Sequence, residues 1–252
     1  MPNDIIYLDH AAATPIDDRV LAAMVPYFSD QFYNPSSPYA QALNIRREYK
    51  AAKETLARQI GAKADEIIIT AGATESINLA FHSVKGHVVT SAIEHDAVLR
   101  ATDGHDHTLV APDEHGFISA ESIRAAIRPD TRLVSVAAAN NELGTVQPLR
   151  AIAAVIAGER ERRKTAGDTT PIYFHSDASQ GMGQLDLHVS RLGLDMLTLN
   201  AAKMYGPKQV ALLWVSPDAR LEPMIVGGGQ ENGLRSGTEN VPYVIGFARA
   251  ME

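Results

Sequence analysis

The chain of 252 residues contains no cysteine, which excludes disulfides, thiolate metal sites and a cysteine nucleophile within these residues. It also lacks a basic stripe. The net charge is −7, and the densest basic stretch, 160–164, is interleaved with Glu159 and Glu161. This charge distribution argues against binding to a phosphate backbone, and the nine histidines show no metal-site spacing. We therefore expect no nucleic-acid partner and no bound metal.

No apolar run reaches the roughly 18 residues that are needed to span a bilayer. The first four residues also lack the charged start and apolar core of a secretory signal. These absences predict a cytoplasmic protein without membrane contact. The remaining composition, 45% apolar and 21% charged, is ordinary for a soluble globular domain.

Short β-branched runs alternate with longer helix-like stretches, which is typical of βαβ units and a parallel sheet. Strands are predicted at 66–70, 87–91, 107–111, 133–137, 172–175, 196–199 and 210–215. Helices are predicted at 17–28, from a cap at Ser36 or Ser37 to about residue 60, and at 74–84, 120–127, 148–164 and 240–252. The pattern predicts an α/β fold with three layers, α/β/α, around a mostly parallel seven-stranded sheet.

Lys203 follows the predicted strand 196–199 and precedes Gly206 and Pro207. Open α/β sheets bind their ligands at the carboxyl ends of the strands. A lysine in such a partly desolvated crevice has a lowered pKa and can form a Schiff base. On spacing alone, an ordinary surface lysine in a turn is the alternative interpretation.

Three other predicted strands are followed by polar side chains. Asp177 can keep a pyridine nitrogen protonated, or it can cap a following helix. His95 can stack on a planar cofactor and transfer protons, or it can serve only as a helix cap. Asn141 brings a side-chain amide to the same predicted edge. Four or five polar groups at consecutive strand ends favour a ligand site more than any one of them does.

Gly72, Ala73 and Thr74 follow the predicted strand 66–70 and open a helix. Small residues allow the backbone to approach a ligand closely, and a helix N-terminus with a threonine hydroxyl favours an anion such as phosphate. A plain strand-to-helix turn is the alternative.

Taken together, these segments resemble the cysteine desulfurases of the class V aminotransferase group. The resemblance is collinear along nearly the whole chain, and its matching segments are 7–9, 13–15, 34–37, 70–80, 94–99, 140–144, 177–180, 203–208, 227–231 and 233–240. It implies the large domain of a type I transferase that depends on pyridoxal phosphate (PLP).

The resemblance also implies roles for individual residues. Lys203 would hold the cofactor covalently and move the substrate's α-proton. Asp177 would pair with the pyridinium nitrogen, and Gln180 would hydrogen-bond the ring hydroxyl. His95 would stack over the ring and assist proton transfer. Asn141 would lie near the ring hydroxyl and the substrate carboxylate.

For the phosphate group, the resemblance implies Thr74 and the backbone that follows Gly72, including Ala73. Thr238 matches a residue that reaches the phosphate of the neighbouring subunit, which implies a homodimer. The implied reaction removes sulfur from L-cysteine, gives alanine and leaves a persulfide on a protein thiol. A sulfur-acceptor or scaffold protein is the further partner that this reaction implies.

Three departures from the family pattern stand out. These residues contain no catalytic cysteine, and we expect the substrate-binding arginine and the C-terminal small domain to be absent as well. Asn200 and Ala202 stand where the family usually has serine and histidine, so two phosphate contacts are lost, each worth about 0.5–3 kcal/mol. Asn200 is expected to replace part of that contact. We therefore expect an N-terminal arm at 1–15, a PLP-binding large domain at 16–252 and incomplete sulfur chemistry.

Two other functions are consistent with the sequence. The chain can be another class V lyase or aminotransferase that needs no cysteine nucleophile, although the signature at 227–238 is closest to the desulfurases. It can also be a non-catalytic module that dimerises or docks within a sulfur-transfer system. Retention of Lys203, Asp177, His95 and Gln180 favours a cofactor-binding enzyme over a scaffold, because a scaffold has no chemical need for all four.

Overall fold

The structure is a computed structural model that describes residues 5–252, so the first four residues of the predicted arm lie outside it. The helices are α1 Asp18–Met24, α2 Pro26–Ser29, α3 Ala40–Gln59, α4 Ala73–His82, α5 Asp96–Thr102, α6 Ala120–Ala126, α7 Leu149–Thr165, α8 Val189–Leu192 and α9 Val241–Met251. The strands are β1 Ile67–Thr70, β2 His87–Ser91, β3 His107–Val110, β4 Thr131–Ser135, β5 Tyr173–Asp177, β6 Met196–Asn200 and β7 Ala211–Val215.

The seven strands form one sheet in the order β1-β7-β6-β5-β4-β2-β3. β7 runs antiparallel to both of its neighbours, and the other pairs are parallel. This confirms the mostly parallel seven-stranded sheet. Because β1 and β6 both run opposite to β7, their carboxyl ends lie on the same edge as those of β2, β4 and β5. The loops that follow these strands therefore meet at one edge.

Helices cover both faces of the sheet, as the three-layer prediction requires. Alternate residues of β1 face opposite ways: Ile68 belongs to the buried cluster that includes residues of α4 and α5, whereas Ile67 and Ile69 belong to the cluster that includes residues of α3, α7 and α9. All four residues of β1 are buried. Burial on both faces explains why the strands appear in the sequence as short, continuous β-branched runs.

Several predicted boundaries are wrong for local reasons. The predicted helix 17–28 is two helices, because Pro26 has no N–H to continue α1. α3 begins after Tyr39 rather than at a serine cap. β4 begins two residues before the predicted strand 133–137, and α5 is absent from the predicted helices. None of the helices within residues 5–252 is long and apolar enough to cross a membrane.

Arg163 fixes α7 to the sheet through a buried hydrogen-bond network. Its side chain is fully buried, and its Nε donates to Glu159 Oε1 at 2.6 Å. Its other nitrogens donate to the carbonyl oxygens of Thr131, Thr170 and Arg128 at 2.9, 3.2 and 3.1 Å. One buried guanidinium group thus donates hydrogen bonds to three backbone carbonyl oxygens, in keeping with the rule that buried polar groups are paired.

Arg163→Met should lower the free energy of unfolding by about 3–5 kcal/mol, because it breaks a buried ion pair with Glu159 and removes a buried donor from three carbonyl oxygens. Arg162→Met is the matched control. Arg162 pairs with the same Glu159 but from the solvent side, so its loss should cost about 1 kcal/mol or less. Urea unfolding of both variants measures the difference. Equal losses would contradict the assignment of Arg163 as the buried anchor.

Candidate functional site

A cavity of about 460 Å³ lies at the edge of the sheet where the strand ends meet. Its lining includes residues that follow β1, β2, β4, β5 and β6, together with three residues of the N-terminal arm. The predicted site residues that line it are Ala73, Thr74, His95, Asn141, Asp177, Gln180, Asn200 and Lys203. The fold therefore brings together side chains that are up to 130 residues apart in the sequence, as Ala73 and Lys203 are.

Lys203 ends a 3-10 turn directly after β6. Its Nζ donates to the carbonyl oxygens of Ala11 and Ala12, both at 2.6 Å. Burial lowers the pKa of Lys203, and the carboxylates of Asp177 and Asp9 partly oppose that shift. A lysine with a lowered pKa has a larger neutral fraction at physiological pH, which is the form that reacts with a carbonyl carbon.

Asp177 is the last residue of β5 rather than a residue beyond it. Its Oδ1 accepts hydrogen bonds from Ser179 N at 3.0 Å and from Ser179 Oγ at 2.6 Å. Burial raises the pKa of Asp177, while the Ser179 hydrogen bonds and the nearby His95 and Lys203 oppose the shift. Asp177 thus caps the turn that follows β5, where the structure has no helix, and it also lines the cavity. Its pairing with a ring nitrogen stays a prediction. A buried carboxylate of this kind is stabilised by a cationic partner.

His95 serves as a helix cap, which is one of its two predicted roles, and it also lies at the cavity, while its role toward a cofactor stays a prediction. It is the N-cap of α5, where its Nδ1 accepts from Ala97 N at 3.1 Å, and its ring lines the cavity. Because Nδ1 accepts a hydrogen bond, the neutral ring carries its proton on Nε2. The capping bond fixes the orientation of the ring.

The turn from Gly72 to Thr74 opens α4, with Gly72 at the N-cap and Ala73 and Thr74 on the cavity wall. Gly72 has φ of 155°, and a Cβ added there would meet no atom within 4 Å, so the space beside this turn is open. Asn200 Oδ1 accepts from Ala202 N at 3.1 Å. The helix N-terminus and the Thr74 hydroxyl supply donors for an anionic group.

Of the other predicted residues, Gln180 donates from Nε2 to the carbonyl oxygen of Ala11 at 3.0 Å. Asn141 lines the cavity beside Asn140, whose Nδ2 donates to Ile93 O at 2.6 Å. Thr238 is exposed and does not line this cavity. Its predicted contact with a neighbouring subunit remains a prediction.

Sequence reasoning missed two parts of the site. The arm contributes Asp9, Ala11 and Ala12 to the cavity, and the two alanines act through backbone carbonyls that no side-chain pattern could reveal. The other omission is Glu94, a buried carboxyl group immediately before His95. Charged residues in turns are ordinarily exposed, so nothing in the sequence indicates that Glu94 is buried.

Residues 6–252 match the aminotransferase class-V family. The chain belongs to that family. The class-V relatives include cysteine desulfurase IscS 1 of Archaeoglobus fulgidus, which is 40% identical over 98% of this chain and 64% of its own length. IscS of Dictyoglomus turgidum is also 40% identical, over 98% of this chain and 63% of its own length. The chain thus spans a little under two thirds of these relatives.

Two solved structures share the fold over 98% of this chain. A structure of SspA in complex with cysteine matches with a TM-score of 0.91 and 41% identity, and the match covers 72% of that chain. A NifS-like protein matches with a TM-score of 0.90 and 34% identity over 68% of its chain. These matches agree with the predicted resemblance in both family and fold.

Class-V aminotransferases depend on PLP, and the residues present fit that cofactor. Asp177 suits a protonated ring nitrogen, because its own burial favours a cationic partner. Lys203 supplies an amine with a lowered pKa, and the start of α4 supplies anion-binding donors. A lysine, an aspartate and a helix N-terminus in one cavity thus match the aldehyde, ring nitrogen and phosphate of PLP.

Glu94 is a buried carboxyl group in contact with the strand ends. Its Oε1 accepts from Ser91 Oγ at 2.6 Å and from Ala137 N at 2.9 Å, whereas its Oε2 has no hydrogen-bond partner among residues 5–252. Burial, together with the charge of Asp177, raises the pKa of Glu94 to about 7. Glu94 therefore titrates close to neutral pH in the folded chain.

Glu94→Gln should change the pH dependence of stability. Between 4.5, the ordinary pKa of a glutamate, and about 7, folded Glu94 binds a proton that the unfolded chain releases, so stability falls as pH rises through that window. Glutamine does not titrate, so the variant does not lose this stability. For a pKa shift of this size the loss in free energy of unfolding is about 3 kcal/mol. Urea unfolding of the cofactor-free chain, from pH about 5 to about 8, should show a widening advantage for the variant.

Glu142→Gln is the control for that series, because Glu142 lines the same cavity but is exposed. The difference in free energy of unfolding between Glu142→Gln and the unmodified chain should stay constant across this pH range. A difference between Glu94→Gln and the unmodified chain that stays constant across the window would contradict titration of Glu94 near neutral pH.

Proposed function

We propose that this chain is the PLP-binding part of a cysteine desulfurase, with an N-terminal arm at 1–15 and a large domain at 16–252. The observation that carries the proposal is the shared cavity of Lys203 and Asp177. Burial shifts the pKa of each toward the uncharged form, downward for the lysine and upward for the aspartate. IscS relatives and a cysteine-bound structural neighbour support cysteine as the substrate.

When bound, PLP supplies an electron sink that stabilises negative charge on a substrate carbon. Lys203 would hold the cofactor and then move the substrate's α-proton. Asp177 would keep the ring nitrogen protonated, and Gln180 with Asn141 would hydrogen-bond the ring hydroxyl. His95, with its Nε2 proton free of the capping bond, would stack on the ring and exchange protons with the substrate.

Gly72, Ala73, Thr74 and Asn200 would hold the phosphate. Thr74 offers a hydroxyl, and the first N–H groups of α4 have no intrahelical acceptor. The side-chain oxygen of Asn200 is already used by Ala202 N, which leaves its amide group as the donor toward an anion.

In the proposed reaction, a thiolate attacks the sulfur of L-cysteine. A sulfur–sulfur bond forms, the carbon–sulfur bond breaks, and its electron pair remains on carbon, where a proton completes alanine. Because these 252 residues contain no cysteine, the thiol must come from outside them. The proposal therefore includes a sulfur-accepting partner. It also includes a cytoplasmic location and a homodimer in which Thr238 faces the neighbouring subunit's phosphate.

Lys203→Ala should abolish covalent cofactor binding. The unmodified chain mixed with PLP should develop a visible absorbance band that borohydride bleaches, leaving a mass increase on the peptide that contains Lys203. Lys208→Ala is the control, because Lys208 lies in the same loop but is exposed and does not line the cavity. Absence of the band from the unmodified chain, or its persistence in Lys203→Ala, would contradict the proposed cofactor site.

L-cysteine should alter the spectrum of the PLP-loaded chain without releasing alanine. The substrate is added at no more than the protein concentration, so that free L-cysteine does not serve as the sulfur acceptor. L-serine, which differs from L-cysteine by one atom, is the matched control and should act only at higher concentration. Release of alanine without an added thiol protein would contradict the requirement for an external acceptor, and an equal response to L-serine would favour another class-V reaction.

A further inference from the structure

Arg235 lies outside the catalytic cavity, on the loop 227–239, and forms an ion pair that the proposed chemistry does not use. Its Nε donates to Glu75 Oε1 at 2.7 Å, and a second guanidinium nitrogen donates to Glu75 Oε2 at 3.3 Å. The two side chains are only 24% and 18% exposed, respectively. The near-bidentate geometry and partial burial distinguish this pair from an ordinary surface salt bridge.

Glu75 places a negative charge at the turn that would receive the cofactor's phosphate. It lies in the first turn of α4, one residue after Thr74, and its Oε2 accepts from Ala71 N at 2.7 Å. The carboxylate thus closes a ring around Gly72 and Ala73 and shapes the turn. The same charge, if unpaired, would repel a phosphate dianion at that turn, since both are negative and water is partly excluded.

Glu231, the other acid near Arg235, is already paired with other donors. Glu231 on the same loop already accepts from Tyr49 Oη at 2.5 Å, Lys53 Nζ at 2.8 Å and Ile69 N at 2.9 Å. The pKa of Arg235 is raised, first by its hydrogen bond to Glu75. Arg235 is therefore the cation that neutralises Glu75.

We propose that Arg235 is a positioning residue for the cofactor's phosphate, because its pairing with Glu75 cancels a repulsive charge while leaving the Glu75 carboxylate in place to shape the turn. This inference rests on the proposed function. It also gives the loop 227–239 a role in its own chain's site, separate from the contact proposed for Thr238.

The test is a double-mutant cycle on the full 252-residue chain. Arg235→Met should weaken binding of both PLP and inorganic phosphate about tenfold, which corresponds to about 1.4 kcal/mol. Glu75→Gln should bind both at least as tightly as the unmodified chain. Arg235→Met combined with Glu75→Gln should recover affinity to within about threefold, because the repulsive charge is gone. Absorbance titration measures PLP, and calorimetry measures phosphate.

Rescue by the second substitution separates this role from a purely structural one. If Arg235 merely pins the loop, the double variant will bind as weakly as Arg235→Met or more weakly, and the inference fails. The Arg235→Met defect should also shrink at high salt, which screens the repulsion. Lys85→Met is the control, because it removes an exposed ion pair with Glu222 and should leave both affinities unchanged.

Circular dichroism of each cofactor-free variant verifies folding. An unmodified chain that binds neither PLP nor phosphate would overturn the proposed function and this inference together. An unmodified chain that binds both, with Arg235→Met unchanged, would overturn the inference alone.

Discussion

Asp177 and Lys203 carry opposite charges in one cavity, and burial disfavours the charged form of each. Their mutual attraction opposes that effect, so burial and charge shift the pKa of each group in opposite directions. A cationic ring nitrogen beside the aspartate and a carbonyl carbon beside the lysine would each satisfy one of them. The rest of the site holds the two groups in place: Asp177 is the last residue of β5, and the carbonyl oxygens of Ala11 and Ala12 accept hydrogen bonds from the lysine amine.

The strands beneath the cavity are joined by hydrogen bonds that add no charge to it. His175 lies two residues before Asp177, and its ring nitrogens contact Ser135 Oγ at 2.9 Å and Thr198 Oγ1 at 3.0 Å. Burial lowers the pKa of His175 to about 3, so the ring is neutral at physiological pH. It therefore joins β4, β5 and β6 without competing with the cofactor for Asp177. Glu94, with its raised pKa, likewise can be neutral beside that carboxylate.

The fold was predictable where burial imposes a simple pattern. Runs such as Ile67 to Thr70 are buried on both faces, and β-branched residues suit that environment. Lys203 and Asp177 could be placed in the site because a strand's carboxyl end has a known position in a parallel sheet. Contacts made through backbone atoms could not be predicted in this way, which is why Ala11 and Ala12 were missed. The burial of Glu94 depends on Ser91 and Ala137 meeting around it, which only the folded chain shows.

The proposed chemistry separates into two requirements with different physical demands. Stabilising charge on the α-carbon requires groups held in fixed positions, and this chain supplies them from rigid strand ends. Accepting sulfur requires a thiolate that reaches the cavity and then leaves with its persulfide. None of these 252 residues can perform that second task, since none is a cysteine. The cavity's fixed groups and a thiol from outside these 252 residues are therefore complementary parts of one proposed reaction, and the edge of the sheet is where they would meet.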